Sequence, residues 1–285
     1  MNPVQSLSVV ITTYNRSDAL LAVLDALTRQ TDSNFDVVVA DDGSAQVHQQ
    51  AIHASRAAKA LHVTHVWHPD VGFTASRVRN RGVKAAKGDY IILLDGDCVP
   101  ERDFIAQHKR LAQKGFFVNG SRVLLSFTLM QQVVSGSMHV DGRSNGFWLH
   151  ARLHGDASKL GHLLRLPDGS FRHRRDFHWK GIRSANMAVW REDFETIDGF
   201  DESYVGWGHE DADFVLRLHS AGLVRKNGFC ATEVFHLWHK DASRNNESHN
   251  AALVAARSEA IVQVARASMG YSQMRTNDDV VISRL

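Results

Sequence analysis

The sequence predicts an α/β fold, a mostly parallel sheet with helices over both faces. Short apolar, β-branched runs at 7–11, 37–39, 63–67 and 90–94 alternate with stretches of helical periodicity, the pattern of strands joined by crossover helices. Three of these runs lead into polar clusters: Thr12-Thr13-Tyr14-Asn15, Asp41-Asp42 and Asp95-Gly96-Asp97. Open α/β sheets bind their ligands at the carboxyl ends of the strands, so three clusters on one edge mark a site.

The elements follow in order. After the strand at 7–11, Ser17 stands where a cap is needed for a helix over 18–30, in which Leu20, Leu24 and Leu27 share a face. The strand at 37–39 runs into the turn Asp42-Gly43-Ser44, and an Ala-rich helical stretch leads to the strand at 63–67. A helix over 75–87 is stopped by Gly88, and the strand at 90–94 follows. Pro100 precedes a helix that ends near Gly115. Residues 131–183, rich in Gly, His, Arg and Trp and without clear periodicity, read as loops and short strands over the sheet edge. Gly206-Trp207-Gly208 precedes a helix over 209–221 with Gly222 as its stop, and an Ala-rich helix covers 250–269.

Composition excludes several classes. With 285 residues, 44% hydrophobic and 22% charged, the chain has enough material for one large core or two merged ones. A formal net charge of +2 gives no reason to expect nucleic acid. Cys98 and Cys230 fit neither a disulfide framework nor paired zinc spacing, so a reducing cytosol is expected. No basic stretch followed by an apolar run opens the chain, and no segment is apolar over a bilayer's width, which makes the expected location cytoplasmic. The 17 histidines are scattered, so position alone assigns none of them a role.

Asp95 and Asp97 lie two apart just after a buried strand, so both carboxylates can address one cation. Carboxylate oxygens completed by phosphates and water suit Mg²⁺ or Mn²⁺. Glu210 and Asp211 fall in the first turn of a helix, where the dipole stabilises acids.

Four stretches are matched together: Val9-Val10-Ile11-Thr12-Thr13-Tyr14-Asn15-Arg16, Val38-Val39-Ala40-Asp41-Asp42-Gly43-Ser44, Ser76-Arg77-Val78-Arg79-Asn80-Arg81-Gly82 and Leu93-Leu94-Asp95-Gly96-Asp97. In that order and spacing they resemble the family 2 glycosyltransferases of the GT-A fold. Gly199-Phe200-Asp201-Glu202 and Gly206-Trp207-Gly208-His209-Glu210-Asp211-Ala212-Asp213 look like the acceptor half of galactosyltransferase-type enzymes. The resemblance implies a nucleotide-sugar-binding half at 1–130, an acceptor-binding and catalytic-base half at 131–245, and a helical tail at 246–285.

The resemblance also implies roles. Thr12 and Tyr14 would hold the nucleoside, and Asp42 would accept a hydrogen bond from the base, although an Asp beside Gly43 is also an ordinary turn-former. Arg79 would lie near the donor phosphates, with Arg77 its local competitor, and Asp95 and Asp97 would hold Mn²⁺ or Mg²⁺. Cys98 stands where many relatives carry another acid. Trp207 and Asn186 would face the acceptor sugar, while Glu210 and Asp211 supply the base, the second acid taking the proton. A third metal ligand would be His236, directly after the apolar Val234-Phe235, with His239 the alternative. Residues three apart point to opposite faces of a regular strand, so only one of them should reach the metal.

The implied reaction inverts the anomeric centre, moving a sugar from a nucleotide donor, a UDP-sugar favoured, to a glycan or lipid-linked glycan in bacterial surface polysaccharide synthesis. A sugar-phosphate nucleotidyltransferase is one alternative, disfavoured because residues 9–16 hold no glycine to wrap a triphosphate. A non-catalytic carbohydrate-binding protein on the same scaffold is another. The missing membrane segments and Gln-x-x-Arg-Trp motif disfavour a processive synthase. Arg172-His173-Arg174-Arg175, near Phe171, Phe177 and Trp179, is either a solvated basic loop or a surface for an anionic glycan or a lipid-linked acceptor. The second reading is compatible with peripheral membrane association.

Overall fold

The computed structural model describes residues 4–177, 182, 184–240, 246–259, 265–274 and 280–285. The chain opens with β1 (Leu7–Thr13), α1 (Ser17–Thr28), β2 (Asp36–Asp41), α2 (Gln46–Ala54), α3 (Arg56–Ala60), β3 (Thr64–Trp67), α4 (Ala75–Ala85) and β4 (Tyr90–Asp95). It continues through β5 (Cys98–Pro100), α5 (Phe104–Leu111), β6 (Phe116–Asn119), β7 (Ser121–Leu124), α6 (Phe127–Val134) and α7 (Asn145–Leu153). Then come β8 (His173–Arg174), β9 (Asn186–Trp190), α8 (Arg191–Thr196), α9 (Glu210–Ser220), β10 (Val224–Asn227), β11 (Glu233–His236), α10 (Glu247–Glu259) and β12 (Val281–Arg284).

The main sheet has the order β12-β3-β2-β1-β4-β9-β6-β10-β8, and a small sheet has the order β5-β11-β7. Strands β3, β2, β1 and β4 are mutually parallel, as expected of βαβ units. Beyond β4 the sheet is mixed: β9 runs antiparallel to both β4 and β6, while β10 is parallel to β6.

Strand alternation divides the core in two. Val9, Ile11, Ile92 and Leu94 face α1, α5 and α6, whereas Val10, Ile91 and Leu93 face α4, α8 and α9. Both faces of the central strands are dry, which is why their sequences read as unbroken apolar runs. Each fully buried Val, Ile or Leu contributes about 1.5–3 kcal/mol.

Several local expectations need correction. Ser17 is the first residue of α1 and makes no capping bond; its hydroxyl is shared with His48 Nδ1 at 2.9 Å. The helix expected over 75–87 ends at Ala85, because Ala86 is already extended. Pro100 belongs to β5, and the helix after it stops at Leu111, short of Gly115. Residues 131–183 are not only loops: α7 lies there and α6 reaches into it, each started by a serine, Ser144 and Ser126, whose hydroxyl accepts a backbone N–H. The final helix is placed earlier than expected, at Glu247–Glu259, and residues 260–264 lie outside the described residues. Among the described residues no helix is long and apolar enough to cross a membrane.

Candidate active site

Register begins the site. β1 and β4 are parallel neighbours with Thr12 opposite Asp95, and the Thr12 hydroxyl donates to Asp95 Oδ1 at 2.9 Å. Gly96 donates its N–H to Thr12 O at 2.8 Å, and a Cβ there would press on the same carbonyl. Glycine therefore keeps the turn close against β1 and holds Asp95 and Asp97 at the strand end.

Arg79 comes from α4, which lies close on β1 and β2 because a Cβ at Gly82 would overlap Val10 and Ala40. Its buried guanidinium sits 5.3 Å from the centre of the Phe200 ring. Phe200 in turn stacks on Phe214 of α9 at 4.1 Å, an arrangement that adds about 0.5–1.5 kcal/mol beyond burial. From this floor Nη2 donates to Asp95 Oδ1 and Nη1 to Glu210 Oε1, each at 3.2 Å. Burial opposes the charge on Arg79, but Asp95, Glu210 and Asp211 outweigh it and raise its pKa. One arginine thereby joins the end of β4 to the start of α9.

Glu210 and Asp211 open α9, with Asp211 Oδ1 accepting the Ala212 N–H at 2.8 Å. The loop before them, Gly206-Trp207-Gly208, is fastened by Asn250 of α10, whose amide donates to Gly208 O at 3.0 Å and Val205 O at 3.3 Å. Trp207 is half-buried on this loop. Sequence reasoning missed Asn250, whose partners lie more than 40 residues upstream.

Asp97 faces two histidines. Its Oδ2 lies 3.3 Å from His239 Nε2 and 3.8 Å from His236 Nε2. Strand alternation led to the expectation that only one histidine reaches the metal; β11 ends at His236 and the chain leaves the strand before His239, which brings both rings near Asp97. Burial lowers the pKa of His236, with the Asp97 charge opposing it, which favours the neutral, metal-ligating imidazole. Asp97, Cys98 and His236 each offer one ligand atom, all within 4.8 Å of one another. Carboxylate and imidazole donors so close together fit a divalent cation. Cys98 is fully buried, and burial followed by the charges of Asp97 and Asp95 pushes its thiol pKa well up.

On the other side, Tyr14 is exposed and its hydroxyl donates to Asp70 Oδ2 at 2.8 Å. Asp42 is buried, accepting the Thr74 N–H at 2.9 Å and the Thr74 hydroxyl, with His68 Nε2 at 3.2 Å. Arg77 lies on the same helix as Arg79.

Two expectations are displaced. Asn186 is buried in β9: its amide nitrogen donates to Ser121 O at 3.1 Å and Thr232 O at 2.5 Å, and its oxygen meets His108 Nε2 at 3.2 Å. With its amide so committed it cannot face an acceptor. His108 is itself sealed in, and burial pushes its pKa down to about 3 against the Asn186 bond. Arg172 is no surface cation either. It is buried and donates to the carbonyls of Pro167, Asn227, Phe229 and Leu166. Arg174 and Arg175 are exposed, Phe177 packs on the core, and Trp179 lies outside the described residues.

Comparison with known proteins decides the family. Residues 8–195 match the model of glycosyl transferase family 2, more than half of the chain. The chain belongs to this family. Residues 169–240 match a second model, the N-terminal domain of galactosyltransferase, and that stretch holds the Gly206-Trp207-Gly208 loop, Glu210, Asp211 and both cleft histidines. This family 2 chain is 29% identical to a validoxylamine A glucosyltransferase of Streptomyces hygroscopicus subsp. jinggangensis over 235 residues, 76% of this chain and 52% of that protein. It is 32% identical to an amylovoran biosynthesis glycosyltransferase of Erwinia amylovora over 221 residues, 76% of this chain and 65% of that protein. The chain thus spans about half the length of the first relative. A mannosyltransferase from Pyrobaculum calidifontis, solved with GDP-Man and Mn²⁺, superposes with a TM-score of 0.57 at 18% identity, over 88% of this chain and 63% of that one. At that identity the likeness speaks for the fold.

Proposed function

We propose that the chain transfers a hexose from a nucleoside diphosphate sugar, a UDP-sugar favoured, to a hydroxyl of a glycan acceptor, inverting the anomeric centre, in the assembly of a bacterial surface polysaccharide. The observation that carries this reading is the Arg79 bridge, which brings Asp95 of the donor half (1–130) and Glu210 of the acceptor half (131–245) to one guanidinium. The amylovoran and validoxylamine relatives support glycosyl transfer, the first of them in polysaccharide synthesis.

Thr12, Tyr14 and Asp42 would form the side of the site that receives the nucleoside, Tyr14 offering an exposed ring for stacking and Asp42 buried and already accepting from Thr74. Asp95, Asp97 and His236 (or His239) would hold Mn²⁺ or Mg²⁺, which would supply charge neutralisation to the diphosphate. Arg79 adds its own positive charge beside that position. Glu210 is engaged by Arg79, and in the galactosyltransferase-like pattern the second acid of the pair, here Asp211, is the base. Asp211 takes the proton of the acceptor hydroxyl as its oxygen attacks the anomeric carbon. The bond from that carbon to the diphosphate oxygen breaks, and its electron pair leaves with the nucleoside diphosphate. Trp207 presents its ring to the acceptor sugar.

The test is turnover of a nucleotide-sugar panel with the product anomer read by NMR. Asp211→Asn should lower kcat by about 10²–10⁴-fold without changing nucleotide affinity. A variant with full rate, or a product that retains the donor configuration, removes Asp211 as base or inversion as outcome.

A further inference from the structure

We propose that Trp238, Phe127 and Leu124 form a hydrophobic subsite beside the acidic centre that holds a pyranose ring of the acceptor glycan. The inference rests on the transferase reading and adds where the acceptor lies.

Leu124 and His236 are paired across β7 and β11, and cross-strand partners point to the same face of a sheet. Leu124 is therefore on the face from which His236 approaches Asp97, and it remains 45% exposed. The chain after Leu124 stays close: Leu125 N donates to His236 O at 3.0 Å, and Ser126 caps the helix that begins with Phe127. Trp238 sits between the two histidines. Its predecessor Leu237 is fully buried and donates its N–H to Asp97 O at 2.9 Å, which fixes the backbone that presents Trp238. The Trp238 and Phe127 rings meet edge to face at 5.1 Å, yet each is about half exposed, 45% and 48%.

A rigid pair of aromatic rings left open beside a carboxylate centre is a surface kept for a ligand. Its size decides which kind. A protein partner covers about 800 Å² per side, more than three side chains present. The other exposed leucines nearby in sequence, Leu149 and Leu153, belong to α7. That helix stacks Trp148 on Phe235, whose side chain points away from the His236 face of β11. A pyranose ring fits, having an apolar face for the aromatic rings and hydroxyls at its edge for the acids alongside.

The test uses the full chain labelled with 5-fluorotryptophan, the Trp238 fluorine signal being assigned from Trp238→Phe. Cellotriose, chitotriose and β-1,4-galactobiose serve as probes. At least one of them should move the Trp238 signal. Trp238→Ala should weaken that sugar, and raise acceptor KM, by about tenfold or more with donor hydrolysis unchanged, and Trp238→Phe should restore most of the affinity. Failure of all three sugars to move the signal overturns the proposal, as does unchanged affinity in Trp238→Ala. A response to anionic phospholipid vesicles but not to sugars also overturns it and assigns the face to a membrane surface. Absence of Mn²⁺-dependent nucleotide binding in the wild-type chain would count against the transferase reading alone, because the fluorine signal reports the sugar without the donor.

Discussion

Arg257 and Arg79 do similar work in two parts of the molecule, each tying together two acids. Arg257 of α10 bridges Asp201, at 2.8 Å, and Asp213. Arg217 then holds the other oxygen of Asp213 at 2.9 Å and donates to the carbonyls of Ile197 and Gly199, both at 2.7 Å. The carboxylates of Asp201 and Asp213 and the Arg217 side chain are 0% exposed, so the acids of this cluster are sealed from solvent. Around Arg79 the carboxylates open to the cleft instead: Asp95 is 33% exposed and Glu210 12%. Asp97, 18% exposed, adds a further acid next to them. The same ion-pair chemistry is structural where it is sealed, and where it is open it leaves an excess of carboxylates that a cation can balance.

Breaking each cluster should therefore give opposite signatures. Asp213→Ala leaves the buried Arg217 without its acid and Arg257 with Asp201 alone, and should cost about 3–5 kcal/mol in a denaturant titration. If the fold tolerates it at no cost, the sealed cluster is not structural. Arg79→Met keeps much of the packing over Phe200 and should leave the melting temperature nearly unchanged, while kcat falls about 10²–10³-fold. Equal losses of stability in the two variants would erase the contrast.

Acid sharpens the comparison further. Burial works against the charge of Asp201, but Arg257 and the N–H of Ser268 reverse that and hold its pKa well below the ordinary range. The stability this contributes is fully present above the unfolded carboxylate pKa of about 4 and is lost as pH falls through the lower folded value. Melting temperatures followed from pH 5 downward should thus fall less steeply in Arg257→Met than in the wild type. Parallel slopes would mean that the pair is not formed in solution.

How much of this was legible in the sequence depends on how local the cause is. The strands were readable because β1, β2 and β4 are buried on both faces, so their sequences are nearly all apolar. Thr12, Asp95 and Asp97 were readable because strand ends in such sheets are where polar side chains collect. The α7 region was not, since its helix is anchored by one buried tryptophan, Trp148, stacked on Phe235 from a distant strand. Asn186 misled for a related reason: its partners Ser121 and Thr232 lie 65 and 46 residues away. The approach of both histidines to Asp97 was not legible, because strand alternation does not extend past the end of β11. Arg257 and Asn250 left no pattern at all, as each acts on a segment more than 40 residues upstream.

The central claim is that the open cluster around Arg79 and Asp97 binds a cation and a nucleotide together. Calorimetric titration of UDP, GDP, dTDP and CDP, with and without Mn²⁺, on the wild-type chain and on Asp97→Ala tests it most directly. One nucleotide, UDP favoured, should bind tightly and require both Mn²⁺ and Asp97. Binding that ignores the metal, or survives unchanged in Asp97→Ala, would contradict it.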